Sequence, residues 1–489
     1  MALPTQSEEE LPPSQAAAKP VIAEADRIPL SQKLGVAAGT CFDSLAVGMT
    51  IGGLWMPYFN IGLGISPAKL GIVLMILRAW DAITDPIMGN ISDNTRTRWG
   101  RRRPYMVVGA ALVALVYPWI WRVPSGWSET GMFFYLLGIG MLFFVCTTMW
   151  CMPYYSLQLE LTPSYDERTR LMAWCALFGK IINLSGAWAL AIVTGPWFVS
   201  AVTGKPDIVL GVRTCSWFVA GAILVVGLMP PLFGRERYYK AETSHQAKDP
   251  FFKSIAESFR CAPLWRLIGV TFFLIVGNTS VAALGQYLNI YYVNGGDISL
   301  AAIVGGWKGT MVVAMGICCI PLWTWLGERF DKRTMVIVML GVSIFGHLTN
   351  LVCMVPGMPY LQLVPALFES SAISAVWLFL PSMKADVADH DELHTSKRRE
   401  GALNAFYSWF VKLASTIGMG TSGVLLQMTG FDVKVGHQPL EVLLHMKWLF
   451  ILLPICGWSV AAYFAFAYPL SRVKMVSLRG QLEDRRGKV

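Results

Sequence analysis

The chain has 489 residues, 54% of them hydrophobic and 15% charged, with a mean hydropathy of +0.49 and a formal net charge of +9. A soluble domain carries about 25% charged residues. No soluble fold hides this much apolar surface, so composition excludes the soluble class and points to a membrane. The positive balance would suit a nucleic-acid surface only if the cations were gathered on one face, and they are not.

Residues 1–32 hold Glu8-Glu9-Glu10 among Pro and Ala, without the basic start and apolar core of a secretory signal. They read as a disordered cytoplasmic tail. Twelve apolar stretches follow, each near the roughly 20 residues that cross a bilayer: 33–60, 67–91, 104–122, 130–158, 169–198, 211–233, 264–294, 301–326, 334–354, 358–384, 401–428 and 443–471. The predicted fold is an all-α polytopic membrane protein of twelve transmembrane helices. Its divisions are an N-terminal six-helix bundle (33–233), a central cytoplasmic loop (234–263), a C-terminal six-helix bundle (264–471) and a cytoplasmic tail (472–489).

Cations alternate with the loops. Arg96, Arg98, Arg101, Arg102 and Arg103 follow span 2; Arg235, Arg237, Lys240, Lys248, Lys253 and Arg260 follow span 6. Arg329, Lys332 and Arg333 follow span 8, and Lys397, Arg398 and Arg399 follow span 10. The intervening loops have Lys205 and Lys434 as their main cations. This is the positive-inside pattern with both termini cytoplasmic. Lys308, read as the start of a span, is expected to reach the outer interface. Nine of the ten cysteines fall within spans and none forms a CxxC, so they read as small apolar residues.

Each half repeats one loop after its second span. Gly89 to Arg103 and Gly327 to Arg333 both offer a glycine, an acid and clustered cations. Parallel halves are the pattern of major facilitator transporters, which hold substrate between two rocking bundles. Asp93, Arg101, Arg102, Asp331 and Arg333 are the candidate gating residues. The plainer alternative is that they only set topology and turn the chain.

Within the spans, Asp81 and Asp85 lie four residues apart and share a helix face. Each charge costs about 2.5–3.5 kcal/mol to place at the bilayer centre. Such a pair suits sodium, lithium or a proton; the alternative is a salt bridge with Arg78 or Lys412. Asp43, Thr148, Lys180 and Asn183 are further intramembrane polar groups. Most of the 19 tryptophans suit interfacial anchoring. Trp377 and Trp409 sit away from predicted membrane ends, and Trp409 lies one turn before Lys412.

The run Ala79-Trp80-Asp81-Ala82-Ile83-Thr84-Asp85-Pro86-Ile87-Met88-Gly89, with Asp93 and Arg98-Trp99-Gly100-Arg101-Arg102-Arg103-Pro104, resembles the glycoside–pentoside–hexuronide:cation symporters, the melibiose-carrier branch of the major facilitators. The resemblance continues at Met152-Pro153-Tyr154-Tyr155, Asp166-Glu167-Arg168, Ala385-Asp386-Val387-Ala388-Asp389 and Val411-Lys412. It implies that Asp81, Asp85 and Thr148 bind the coupling ion, sodium or proton, with Lys412 as their charge partner. It places substrate binding at Asp43, Cys151, Tyr155, Lys180, Trp377 and Trp409. Cys151 stands where the melibiose carrier has an aspartate, and Lys180 lies two residues from its arginine position. The sugar site is therefore rebuilt, and an acidic sugar such as a hexuronide would suit Lys180.

The expectation is cation-coupled symport of a glycoside, oligosaccharide or hexuronide by a monomer in a plasma membrane, a bacterial inner membrane. No cofactor, resident metal or nucleic acid is expected. The rivals are a sodium-coupled lysolipid carrier on the same fold and a transporter-like sugar sensor. An enzyme is not expected, because His347 and His390 lack partners at catalytic spacing.

Overall fold

Long apolar runs must satisfy their own backbone hydrogen bonds in lipid, and helices do so within one segment. The computed structural model describes residues 27–124, 126–162, 165–201, 204–234, 259–395, 400–435 and 437–486. Most of the expected front tail and central loop, with Lys397 to Arg399, lie outside these.

Among the described residues, twelve helical spans follow one another. The first, α1, comprises Leu30–Ala38, Thr40–Asp43 and two wider i→i+5 stretches, Ser44–Leu54 and Pro57–Gly62. Then come α2 (Pro67–Asn94), α3 (Arg103–Ile120), α4 (Glu129–Glu160), α5 (Tyr165–Val193) and α6 (Ile208–Phe233). The second half opens with α7, formed by Ala262–Thr279, Ala282–Tyr287 and a wide stretch at Leu288–Val293. It continues as α8 (Ile298–Cys318, extended by Ile320–Arg329), α9 (Lys332–Leu348), α10 (Leu363–Thr395), α11 (Glu400–Met428) and α12 (Leu440–Phe466). Wide turns are rare and common at functional sites; here they recur at the same place in the opening helix of each half.

Among the described residues, ten helices are long and apolar enough to cross a membrane by length and composition. Helix α2 is not among them, because Arg78, Asp81 and Asp85 depress its hydropathy. Side-chain caps mark helix starts at one end of the bundle: Ser128 accepts from the N–H of Gly131, Asp207 from Leu210 and Asp297 from Leu300. This is the end opposite the chain termini, called here the far end.

Two expectations need correction. Helix α10 runs to Thr395 rather than 384, because Met383, Asp386, Val387 and Asp391 recur at helical spacing and are buried. Helix α8 begins at Ile298, so Lys308 lies ten residues inside it rather than at its outer edge. The stretch read as a C-terminal tail is helical over Arg472–Arg486 (α13) and rests against α10.

The halves meet along two seams, α2 against α11 and α5 against α8. Both are tight at the far end. A Cβ on Gly71 would stand 2.6 Å from the carbonyl oxygen of Gly420, and Ser66 donates to Gln427 at 2.6 Å. Across the other seam Trp188 Nε1 donates to Thr310 at 3.0 Å. Tyr287 of α7 donates to Asn60 of α1 at 2.6 Å. Far-end residues of the second half, such as Leu284 and Phe450, share one apolar core with the first half. Nearer the termini, Met339, Met383 and Phe406 belong to a separate core.

Candidate functional site

Asp81 and Asp85 lie midway along α2, where the helix passes α4 and α11. Asp81 Oδ1 accepts from the Thr148 hydroxyl of α4 at 3.2 Å. That hydroxyl is 3.3 Å from Thr84 Oγ1, which donates to the carbonyl of Asp81 at 3.2 Å. Asp81 Oδ2 stands 3.6 Å from both Arg78 Nη1 and Lys412 Nζ. Lys412 is also ion-paired with Asp85. The guanidinium of Arg78 lies 5.4 Å from the centre of the Phe144 ring, a cation–π position.

Proline adds to this oxygen-rich site. Pro86 has no N–H, so the carbonyl of Ala82 loses its ladder partner beside the two acids. Pro153 does the same for Met149, next to Thr148. Two acids facing two cations make a neutral set. Asp43 of α1 lies close enough to interact electrostatically with Arg78, Asp81 and Lys412, and it adds a third acid beside the set. These oxygens are the hard donors that a small cation prefers.

Asp43 also lines a cavity of about 350 Å³ with Thr40, Tyr155, Lys180 and Asn183. Small-molecule pockets begin at about 300 Å³ and fix their ligand through a few polar groups. Asp43, Tyr155 and Lys180, expected together from sequence, thus converge on one space. Cys151 does not line it; it is buried at 6% exposure, one turn from Tyr155. Trp409 lies on α11, outside this cavity, and is 52% exposed. The side chains of Trp377 and Asp93 lie outside those described.

Two of the remaining gating candidates, Asp331 and Arg333, hold the second half together. Asp331 Oδ1 accepts from the N–H of Arg472 at 2.7 Å, and Arg333 donates to the carbonyl of Tyr468 at 3.4 Å. Arg102 is buried just before α3, in the loop it shares with Arg101. An ion pair beside Asp331 and Arg333 joins Lys332 to Asp386 at 2.6 Å. Lys332 was hidden in sequence between two candidates, and Asp386 in the 385–393 acidic run. In the first half Glu167 pairs with Lys33 at 2.6 Å and with Arg170 at 2.9 Å.

Two six-helix bundles closing around intramembrane charges and a polar cavity define a major facilitator transporter fold. The chain belongs to the MFS/sugar transport protein family, whose pattern matches residues 42–472. It is 27% identical to an uncharacterized symporter of Synechocystis sp., over 94% of this chain and 98% of that one. It is 26% identical to the sodium-dependent lysophosphatidylcholine symporter 1 of Mus musculus, over 84% and 80%. Among solved structures it matches a D-xylose-proton symporter with a TM-score of 0.59 at 14% identity, covering 90% of this chain and 98% of that one. The last likeness concerns fold alone.

Proposed function

We propose that the protein is a symporter that couples the inward flow of sodium, or of protons, to uptake of a glycoside, oligosaccharide or hexuronide. The observation that carries this reading is Asp43. One of its sides lines the polar cavity and another interacts with the Asp81–Lys412 cluster, so the substrate and cation sites would share a residue. Asp81, Asp85 and Thr148 would bind the cation, and Lys412 would hold the carboxylates when it is absent. Asp43, Tyr155, Lys180 and Asn183 would bind the substrate. By linkage, substrate and cation then raise each other's affinity equally.

The alternating loop cations favour cytoplasmic termini in a plasma membrane. With the termini inside, the tight far-end seams are the closed outer gate of an inward-facing monomer. Asp331, Arg333, Arg101, Arg102 and Asp93 would then line the inner gate, joined by the Lys332–Asp386 pair.

A second reading, a lysolipid carrier, has one structural observation behind it. An apolar cleft of about 170 Å³ lies between α1, α3, α5 and α6, lined by Met49, Leu54, Trp121 and Phe218. The name of the mouse relative points the same way. The purified chain in proteoliposomes separates the two. A panel of labelled neutral glycosides, uronates and lysophosphatidylcholine would be offered with and without an inward sodium gradient. Sodium-driven uptake of a glycoside or uronate, lost in Asp43→Asn, is expected. Sodium-driven uptake of lysophosphatidylcholine alone would replace the sugar reading.

A further inference from the structure

Towards its far end α9 packs against α10 and α12, and His347 is buried there at 3% exposure. Its Nε2 is 2.8 Å from the carbonyl oxygen of Phe450 on α12, and its Nδ1 is 2.6 Å from Glu369 Oε1 on α10. Asn350 Nδ2 donates to the same Oε1 at 3.0 Å, while its own Oδ1 is buried without a partner. The rings of Phe450 and Trp458 close over the imidazole at 4.9 and 5.2 Å.

The donor count fixes the chemistry. A carbonyl only accepts, so Nε2 carries a hydrogen. If the imidazole were neutral and Glu369 ionised, the bare lone pair of Nδ1 would face a carboxylate oxygen at 2.6 Å. One further proton removes that repulsion, whether it resides on Nδ1 or on Oε1. Either placement makes the pair neutral overall, which is the form an apolar layer tolerates.

We propose that His347 and Glu369 form a proton-binding site in the second half, holding one proton and separate from the carboxylates of α2. Glu369, with its side chain 17% exposed, is the member that can pass the proton to water. Other titratable groups nearby have their own engagements or stand apart. Lys447 of α12 donates to the carbonyls of Leu351 and Met354 and lies over the Tyr292 ring of α7. His445 is on α12, Lys308 on α8 and Arg266 on α7, and none of them bonds to the pair. At the other end of α9, Lys332 and Arg333 are held by Asp386 and Tyr468. The site is independent of which cation the α2 cluster takes.

The test is nitrogen NMR of the full chain, labelled with ¹⁵N-histidine and held in lipid nanodiscs, titrated from about pH 5 to about pH 9 to bracket ordinary histidine. One histidine signal, absent in His347→Asn, should keep Nε2–H and show Nδ1 sharing a proton. It should lose that proton in a single step as pH rises. In Glu369→Gln the step should vanish or move by at least tenfold in proton affinity. A wild-type His347 whose Nδ1 is bare across the range overturns the proposal, as does a step unchanged in Glu369→Gln. Should the variants not fold, the infrared carboxyl and imidazole bands of the wild type under the same titration decide together. Loss of one proton from either group supports the site, and no change in either group throughout removes it.

Discussion

Lys412 of α11 is ion-paired with Asp85 of α2, and this contact crosses the boundary between the two halves. The same ammonium stands 3.6 Å from Asp81, so one lysine engages both acids of the proposed cation site. Two charges at about 4 Å attract by about 4 kcal/mol at an effective dielectric near 20. The lysine is over a third exposed, so the true value is smaller.

An entering cation must therefore displace Lys412. Asp85→Asn and Asp81→Asn should abolish gradient-driven accumulation while leaving substrate exchange measurable. Lys412→Gln should lower the sodium concentration for half-maximal uptake by roughly tenfold, equivalent to about 1.4 kcal/mol. Initial uptake rates across a sodium series check both. Unchanged sodium dependence in all three variants would remove the cation site from α2.

The far-end seam is the second target. Gly71→Ala would push a methyl to within 2.6 Å of the backbone oxygen of Gly420. Backbone cannot yield as a side chain does, and overpacking of this kind costs about 1–3 kcal/mol. That shifts the balance between states by roughly 5- to 150-fold, towards the form open at the far end. Distances between spin labels at the far ends of α2 and α11 should lengthen. A distribution identical to wild type would show that this seam does not hold the gate.

The substrate cavity predicts unequal effects. Lys180 lines it and Cys151 does not. Lys180→Ala should abolish uptake of a uronate and spare that of a neutral glycoside. Cys151→Ser should change either by less than about twofold, because the swap is small and away from the cavity. Uptake confined to neutral glycosides, with Lys180→Ala fully active, would exclude an acidic substrate.

Glu167 predicts a pH effect outside the membrane. Burial alone would raise its pKa. The hydrogen bonds from Lys33, the N–H of Ile28 and Arg170 outweigh burial and hold it below the usual 4.5. A lowered folded pKa stabilises fully above the unfolded value and is lost as pH falls through the folded one. The clamp of α1 on α5 should thus be intact above about pH 4.5 and fail below it. Thermal unfolding in detergent from neutral to acid pH should show Glu167→Gln less stable by about 1.5–3 kcal/mol at neutral pH, converging with wild type in acid.

The membrane class, the number and order of spans, and the acids worth attention were legible along the chain. Hydropathy and charge are local properties, and burying Asp81 and Asp85 without purpose is too costly to overlook. It also offered Lys412 as a partner, but left the salt bridge and the cation site as alternatives.

Which groups meet followed from how the helices pack. Asp43, Tyr155 and Lys180 come from three helices, and one cavity joins them because α1, α4 and α5 pack together. The Lys332–Asp386 pair spans 54 residues, and no spacing rule links such positions. His347 seemed partnerless because its acid is 22 residues away on another helix. Helix periodicity reaches three or four residues along the chain; contacts between helices are set by how ridges and small residues let them approach. That is why the two acids of α2 were legible from sequence, while the lysine bound to them was fixed only by the approach of α11 to α2.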